Sequence, residues 1–137
     1  MKPILCFSLL FSACLWADEA ADRVVIEKVI GAFNAPRSDP HARSLSSLFT
    51  SDADPAELER LSDMQRRMRE ISSSPWSEVT PPRIVAKRIR FVTPDVALVD
   101  AAIAQIGSLS GSHEPVLFVM KKQGTEWWIA SPRLGYR

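Results

Sequence analysis

The order of patterns along this chain predicts an α+β fold, with about three N-terminal helices packed on a curved, mainly antiparallel four-stranded sheet. Two observations carry that expectation. Apolar residues recur at helical spacing through the first half, and beyond Thr80-Pro81-Pro82 they alternate instead. The clearest hairpin closes the chain, where the run from Val116 to Lys122 turns at Gly124 and returns through Trp127 and Trp128.

The first helix is expected over residues 19–33, with Val25, Ile26, Val29, Ile30 and Phe33 forming one apolar stripe and Asn34-Ala35-Pro36 ending it. Asp39-Pro40 is a second start signal, an N-cap followed by proline at the first helical position, with Leu45, Leu48 and Phe49 as its buried face. Asp54-Pro55-Ala56-Glu57 repeats the signal with Glu57 in the capping-box position. Leu58, Leu61, Met64, Met68 and Ile71 then mark one side of a helix of about five turns. In the first strand Val85, Ile89 and Phe91 are expected on one side, together with Lys87, and Arg88 and Arg90 on the other. Thr93-Pro94-Asp95 reads as a tight turn, and residues 96–106 as a long strand of small apolar residues. Residues 107–113 form a Ser/Gly loop.

Residues 1–17 read as an export signal. Lys2 supplies the basic start, residues 4–15 are apolar apart from Ser8 and Ser12, and Leu15-Trp16-Ala17 fits a signal-peptidase site with Ala17 the last residue removed. The stretch is shorter than the ~20 apolar residues of a membrane span, so the mature chain is expected to carry no transmembrane segment. A competing reading takes Phe11-Ser12-Ala13-Cys14 as a lipobox, with Cys14 lipidated. Cleavage at Ala17 removes Cys6 and Cys14, the only cysteines, so the exported domain of residues 18–137 must rest on its core without a disulfide. The expected location is secreted or periplasmic, or lipid-anchored on the competing reading.

Composition and motifs narrow the function by exclusion. Cleavage would remove one of 17 basic residues and none of 16 acidic ones, which leaves no net charge to favour a nucleic-acid partner. Arg60, Arg66, Arg67 and Arg69 alternate with Glu57, Glu59, Asp63 and Glu70 as on a solvated helix face. His41 and His113 are the only histidines, so no metal site and no cofactor is expected. Asp52-Ala53-Asp54 lacks the glycine and terminal glutamate of a calcium loop. In Gly107-Ser-Leu-Ser-Gly111 a leucine stands where a nucleophile elbow needs serine.

Polar residues on elements facing the hollow remain. Asp100, Glu57 and His113 are the candidates for proton transfer, and Lys87, Asp100, Trp127, Arg133 and Tyr136 for ligand binding. A three-residue turn would set Arg88 opposite Asp100, and a four-residue turn would set Lys87 there. Trp127 and Trp128 must point to opposite faces. The second strand is apolar on both sides, so one side is expected on the helices and the other on a second subunit.

The layout resembles the NTF2-like superfamily in its SnoaL-like and ketosteroid-isomerase-like branches. The matching pieces are Ile26-Glu-Lys-Val-Ile-Gly-Ala-Phe-Asn34, Leu45-Ser-Ser-Leu-Phe-Thr-Ser-Asp-Ala53, Thr93-Pro-Asp-Val-Ala-Leu-Val99 and Lys121-Lys-Gln-Gly-Thr-Glu-Trp-Trp-Ile-Ala130. The resemblance implies a single cone-like domain over residues 18–137, commonly a homodimer through its sheet, with a cavity that is catalytic in some members and only binds in others. Val29 stands where the isomerase branch has a helix-1 tyrosine. Asp54-Pro55-Ala56-Glu57, a helix start, stands near the place of its general-base aspartate. The first strand of the family gives way to the arginine-rich third helix. The expected role is therefore non-catalytic, binding an apolar or amphipathic small molecule or acting as a dimeric interaction module. The alternative is a small acid/base enzyme of isomerase, hydratase or cyclase type.

Overall fold

A computed structural model of the chain describes residues 7–34, 44–72, 83–104 and 114–135. Its elements run α1 (Phe7–Gly31), a 3-10 turn (Ala32–Asn34), a second 3-10 turn (Leu45–Leu48), α2 (Pro55–Ser72), and strands β1 (Arg83–Thr93), β2 (Val96–Ala104), β3 (Glu114–Gln123) and β4 (Glu126–Leu134). The strands form one antiparallel sheet in the order β1-β2-β3-β4. The fold is α+β, and the described residues form two α-helices and a four-stranded antiparallel sheet.

Helix α1 starts earlier than its apolar stripe alone indicates, because no glycine or proline interrupts the sequence between Phe7 and Gly31. The stripe itself is as expected. Ile26, Val29, Ile30 and Phe33 are buried, with Val25 packed beside them. Of the second helix, the start at Asp39-Pro40 and His41 lie outside the described residues. Its remainder, Leu45–Leu48, is a single 3-10 turn, after which Phe49 bridges to Ile129 and Thr50 N–H donates to the Ile129 carbonyl at 2.9 Å. This short extended stretch lies against β4 and sets Leu48 and Phe49 in the core.

Helix α2 begins where the sequence indicates, with Asp54 Oδ1 accepting from Ala56 N–H at 2.9 Å. Glu57 does not close a capping box. Its carboxylate instead reaches β4, where Ser131 Oγ donates to it at 2.8 Å. Leu61 is fully buried, with Leu58 and Met64 packed against the core; the Met68 and Ile71 side chains lie outside the described residues.

The inner face of the sheet carries Ala97, Val99 and Ala101 of β2, Val116, Phe118 and Met120 of β3, and Trp127 and Ile129 of β4, all buried against the helices. Phe118 lies 5.6 Å from Phe33, ring to ring. Gly124, at φ 65° in the first position of the two-residue turn between Gln123 and Glu126, makes the connection that matches strand twist.

Strand β1 departs from regular alternation. The register shifts between Ala86 and Arg88, so the extra residue Lys87 changes which side chains face inward. Ile84 is buried ahead of the bulge and Ile89 behind it, while Val85 is exposed. The expected grouping of Val85 and Lys87 with Ile89 is thereby corrected: a period-2 reading carried across a bulge misassigns every residue on one side of it. A second shift near the hairpin leaves Val92 unpaired, and this two-residue turn with a bulge gives the register expected of a three-residue turn, Arg88 opposite Asp100.

β1 is also an edge strand, shielded by α1 and the 3-10 turn that follows it. Asn34 Nδ2 donates to the Ile84 carbonyl and Asn34 Oδ1 accepts from the Ile84 N–H, both at 2.8 Å, so one side chain takes the place of a neighbouring strand. Further along, Arg23 donates to the Ile89 carbonyl at 3.0 Å. Asn34→Ala would leave a part-buried donor and acceptor unpaired. The expected cost is about 1–3 kcal/mol, read as a lower urea midpoint with the m-value unchanged. Asn34→Asp, which cannot donate, should recover only part of that loss above the carboxylate pKa.

Candidate functional site

Three polar constellations stand out, and each joins elements distant in sequence. The first sits where α1 crosses the hairpin ends. Lys122 pairs with Asp22 at 3.0 Å, with both side chains largely covered. Lys122 Nζ lies 5.9 Å from the Trp127 ring centre and Arg23 lies 5.2 Å from that of Phe91, while Phe91 and Trp127 meet edge to face at 5.9 Å. Beside them is a recess of about 270 Å³ lined by Asp18, Glu19, Asp22, Phe91, Thr93, Asp95 and Lys122, among others. Trp127 is 2% exposed and packs in the core, and its buried Nε1 has no hydrogen-bond partner among the described residues. The pairing of Asp22 with Lys122 was not legible, because the two positions are 100 residues apart.

The second constellation lies on the sheet face turned away from the helices. Asp100 sits opposite Arg88 but pairs diagonally with Arg90, at 3.2 Å, with side-chain exposures of 23% and 44%. An ion pair so exposed contributes at most about 1 kcal/mol. Lys87 is exposed in its bulge. Neither of these two candidates is directed at the helix-covered side of the sheet.

The third joins two further candidates. Glu57 of α2, with its side chain 16% exposed, faces Arg133 of β4, whose Nη1 is 3.6 Å away. Extra residue Ala130 shifts the register between Ile129 and Ser131, and beyond it Ser131 reaches the same carboxylate. Glu57, Arg60, Pro132, Arg133 and Leu134 line a recess of about 120 Å³. His113 and Tyr136 lie outside the described residues, and so does the side chain of Cys14.

One carboxylate has a perturbed titration. Asp52 is held below the ordinary aspartate range, chiefly by the Thr50 hydroxyl, then by its own backbone N–H and by Lys121. Thr50 Oγ1 is buried without a hydrogen-bond partner among the described residues, so the hydroxyl acts on Asp52 as a nearby dipole. A lowered folded-state pKa favours the native state above the ordinary value, and that contribution disappears as pH falls through the folded value. Asp52→Asn should accordingly be slightly less stable than wild type at neutral pH, with the difference vanishing in acid. Urea midpoints measured along a pH series check this.

Among the described residues, no group of three or more His, Cys, Asp or Glu is placed to hold a metal ion. No helix among them is long and apolar enough to cross a membrane. What the architecture defines is a two-layer α+β domain, an antiparallel meander covered on one face by helices. No protein-family model matches the chain, and no curated protein matches it.

Proposed function

We propose that this chain is an exported NTF2-like domain, a cone of helices in a curved sheet, that works as a dimeric interaction module without chemistry of its own. The observation that carries this reading is the outer face of the sheet. Alternation places Leu98 of β2, Leu117 and Val119 of β3, and Trp128 of β4, each half-buried, opposite the buried set. Cross-strand register joins them into one patch, since Leu98 pairs with Val119, Asp100 with Leu117, and Lys121 with Trp128. Arg88, Arg90 and Lys121 stand around it, and Asp100 lies within it, next to Leu98 on β2 and opposite Leu117. Open antiparallel faces are ordinarily polar, and a largely apolar face that holds one ion-paired carboxylate and is bordered by charges suits a protein interface.

Size supports the same reading. Four strands about 4.8 Å apart and about nine residues long make a face of roughly 20 by 30 Å. That is of the order of the ~800 Å² per partner in a standard interface. A second copy of the chain is the partner, because Arg90 and Asp100 give each copy both charge signs for a two-fold contact.

The close packing of Ile26, Ile30, Phe33, Phe118 and Met120 between the layers favours an interaction module over an acid/base enzyme. An apolar or amphipathic small molecule remains part of the proposal as a ligand at the margins of the fold. Light scattering coupled to size exclusion tests the reading: a dimer at micromolar concentration supports it, and a monomer at every concentration overturns it.

A further inference from the structure

We propose that the recess between Arg60 of α2 and Arg133 of β4 binds a small monocarboxylate with a short apolar body. Four features of the recess point to this class. Arg60 makes no hydrogen bond or ion pair among the described residues, and Arg133 stands 3.6 Å from Glu57, too far for a hydrogen bond, with its side chain 68% exposed. Most donors of both guanidiniums are thus available to a bidentate acceptor. Glu57 accepts from Ser131 and is anchored by it, so its charge stays beside Arg133. Two guanidiniums against one carboxylate leave a single positive charge, which a monoanion neutralises and a dianion over-compensates. Pro132 and Leu134 supply an apolar wall, and about 120 Å³ suits a carboxylate carrying only a few carbons.

The site deepens the small-molecule part of the proposed function and does not depend on the dimer. Its residues all come from one chain, at the β4 edge beside α2, and border the outer patch, where Arg133 pairs with Leu117 and Ser131 with Val119. A monomeric chain that binds the ligand would therefore overturn the dimer and leave this site standing.

The test is a titration of the full chain with sodium butyrate, followed by amide chemical shifts, with sodium acetate and inorganic phosphate as separate arms. Saturable shifts are expected around residues 57–60 and 131–135. A dissociation constant on the order of 1 mM is expected for so few contacts, with acetate weaker for lack of the apolar wall. Arg60→Gln and Arg133→Gln should each weaken binding several-fold, whereas Glu57→Gln, which removes the competing charge, should tighten it. That opposition of signs is not produced by loss of structure, and well-dispersed spectra of each variant establish that it folds. Absence of saturable shifts, tighter binding of phosphate than of butyrate, or equal binding by Arg60→Gln and wild type would each overturn the proposal.

Discussion

Phe118→Ala is expected to destabilise the fold by about 3–5 kcal/mol, enough to unfold many domains of this size. Phe118 is fully buried at the centre of β3. It packs on Phe33 from the helical layer and lies between Val99 and Pro132 in neighbouring strands. Truncation opens a cavity bounded by both layers, and a β-sheet stitched to its neighbours cannot collapse to fill it. Leu117 is the control. It is adjacent in sequence but faces the other side, so Leu117→Ala should cost far less in a monomer-referenced urea titration. Equal costs at the two positions would contradict the assignment of faces.

Trp128→Glu has the second large expected effect, on assembly instead of folding. Trp128 is half-buried at one corner of the outer patch, opposite Lys121. Removing a large aromatic anchor from an interface typically costs 2 kcal/mol or more, which is at least about a 30-fold weaker dimer. A buried glutamate from each copy would add like-charge repulsion at a two-fold contact. The variant should keep its circular dichroism and its monomer stability while sedimenting as a monomer. Trp127, buried on the other face, should behave in the reverse way: Trp127→Ala should lower stability.

How far the sequence could be read follows from which signals are local. The α1 stripe, the Asp54 cap, the Gly124 turn and the opposed directions of Trp127 and Trp128 all depend on a few consecutive residues, and all were legible. The facing of β1 was not. Lys87 looks like any other strand residue, and nothing nearby in sequence announces that the ladder skips it. Side-chain partnerships were the least legible, because they need register and packing together. Glu57 has the local appearance of a capping-box residue but bonds to Ser131, 74 positions away. Asn34 reads as a helix stop and also serves as the edge partner of Ile84. Arg133 and Glu57 were each identifiable as candidates from charge and position, whereas their meeting depends on the β4 bulge.

The bulges also explain how the sheet divides its two faces. Two extra residues in β1, Lys87 and Val92, and one in β4, Ala130, increase local twist at opposite edges. The central strands β2 and β3 stay regular over their whole pairing from Val96 with Lys121 to Ile103 with Glu114. The regular centre is where the outer apolar residues concentrate, and the irregular margins carry Lys87, Ser131 and Arg133. A regularly paired centre with bulged, polar edges suits a face-to-face partner while discouraging edge-to-edge growth.

An isotope-filtered NOE experiment on a mixed dimer, one copy labelled and one unlabelled, most directly tests the assignment of the outer sheet face as the working surface. Intermolecular contacts are expected from the Trp128 ring and the Leu117 and Val119 methyl groups to the same strands of the other copy. Intermolecular contacts confined to α1 or α2, with none from β2 and β3, would contradict it.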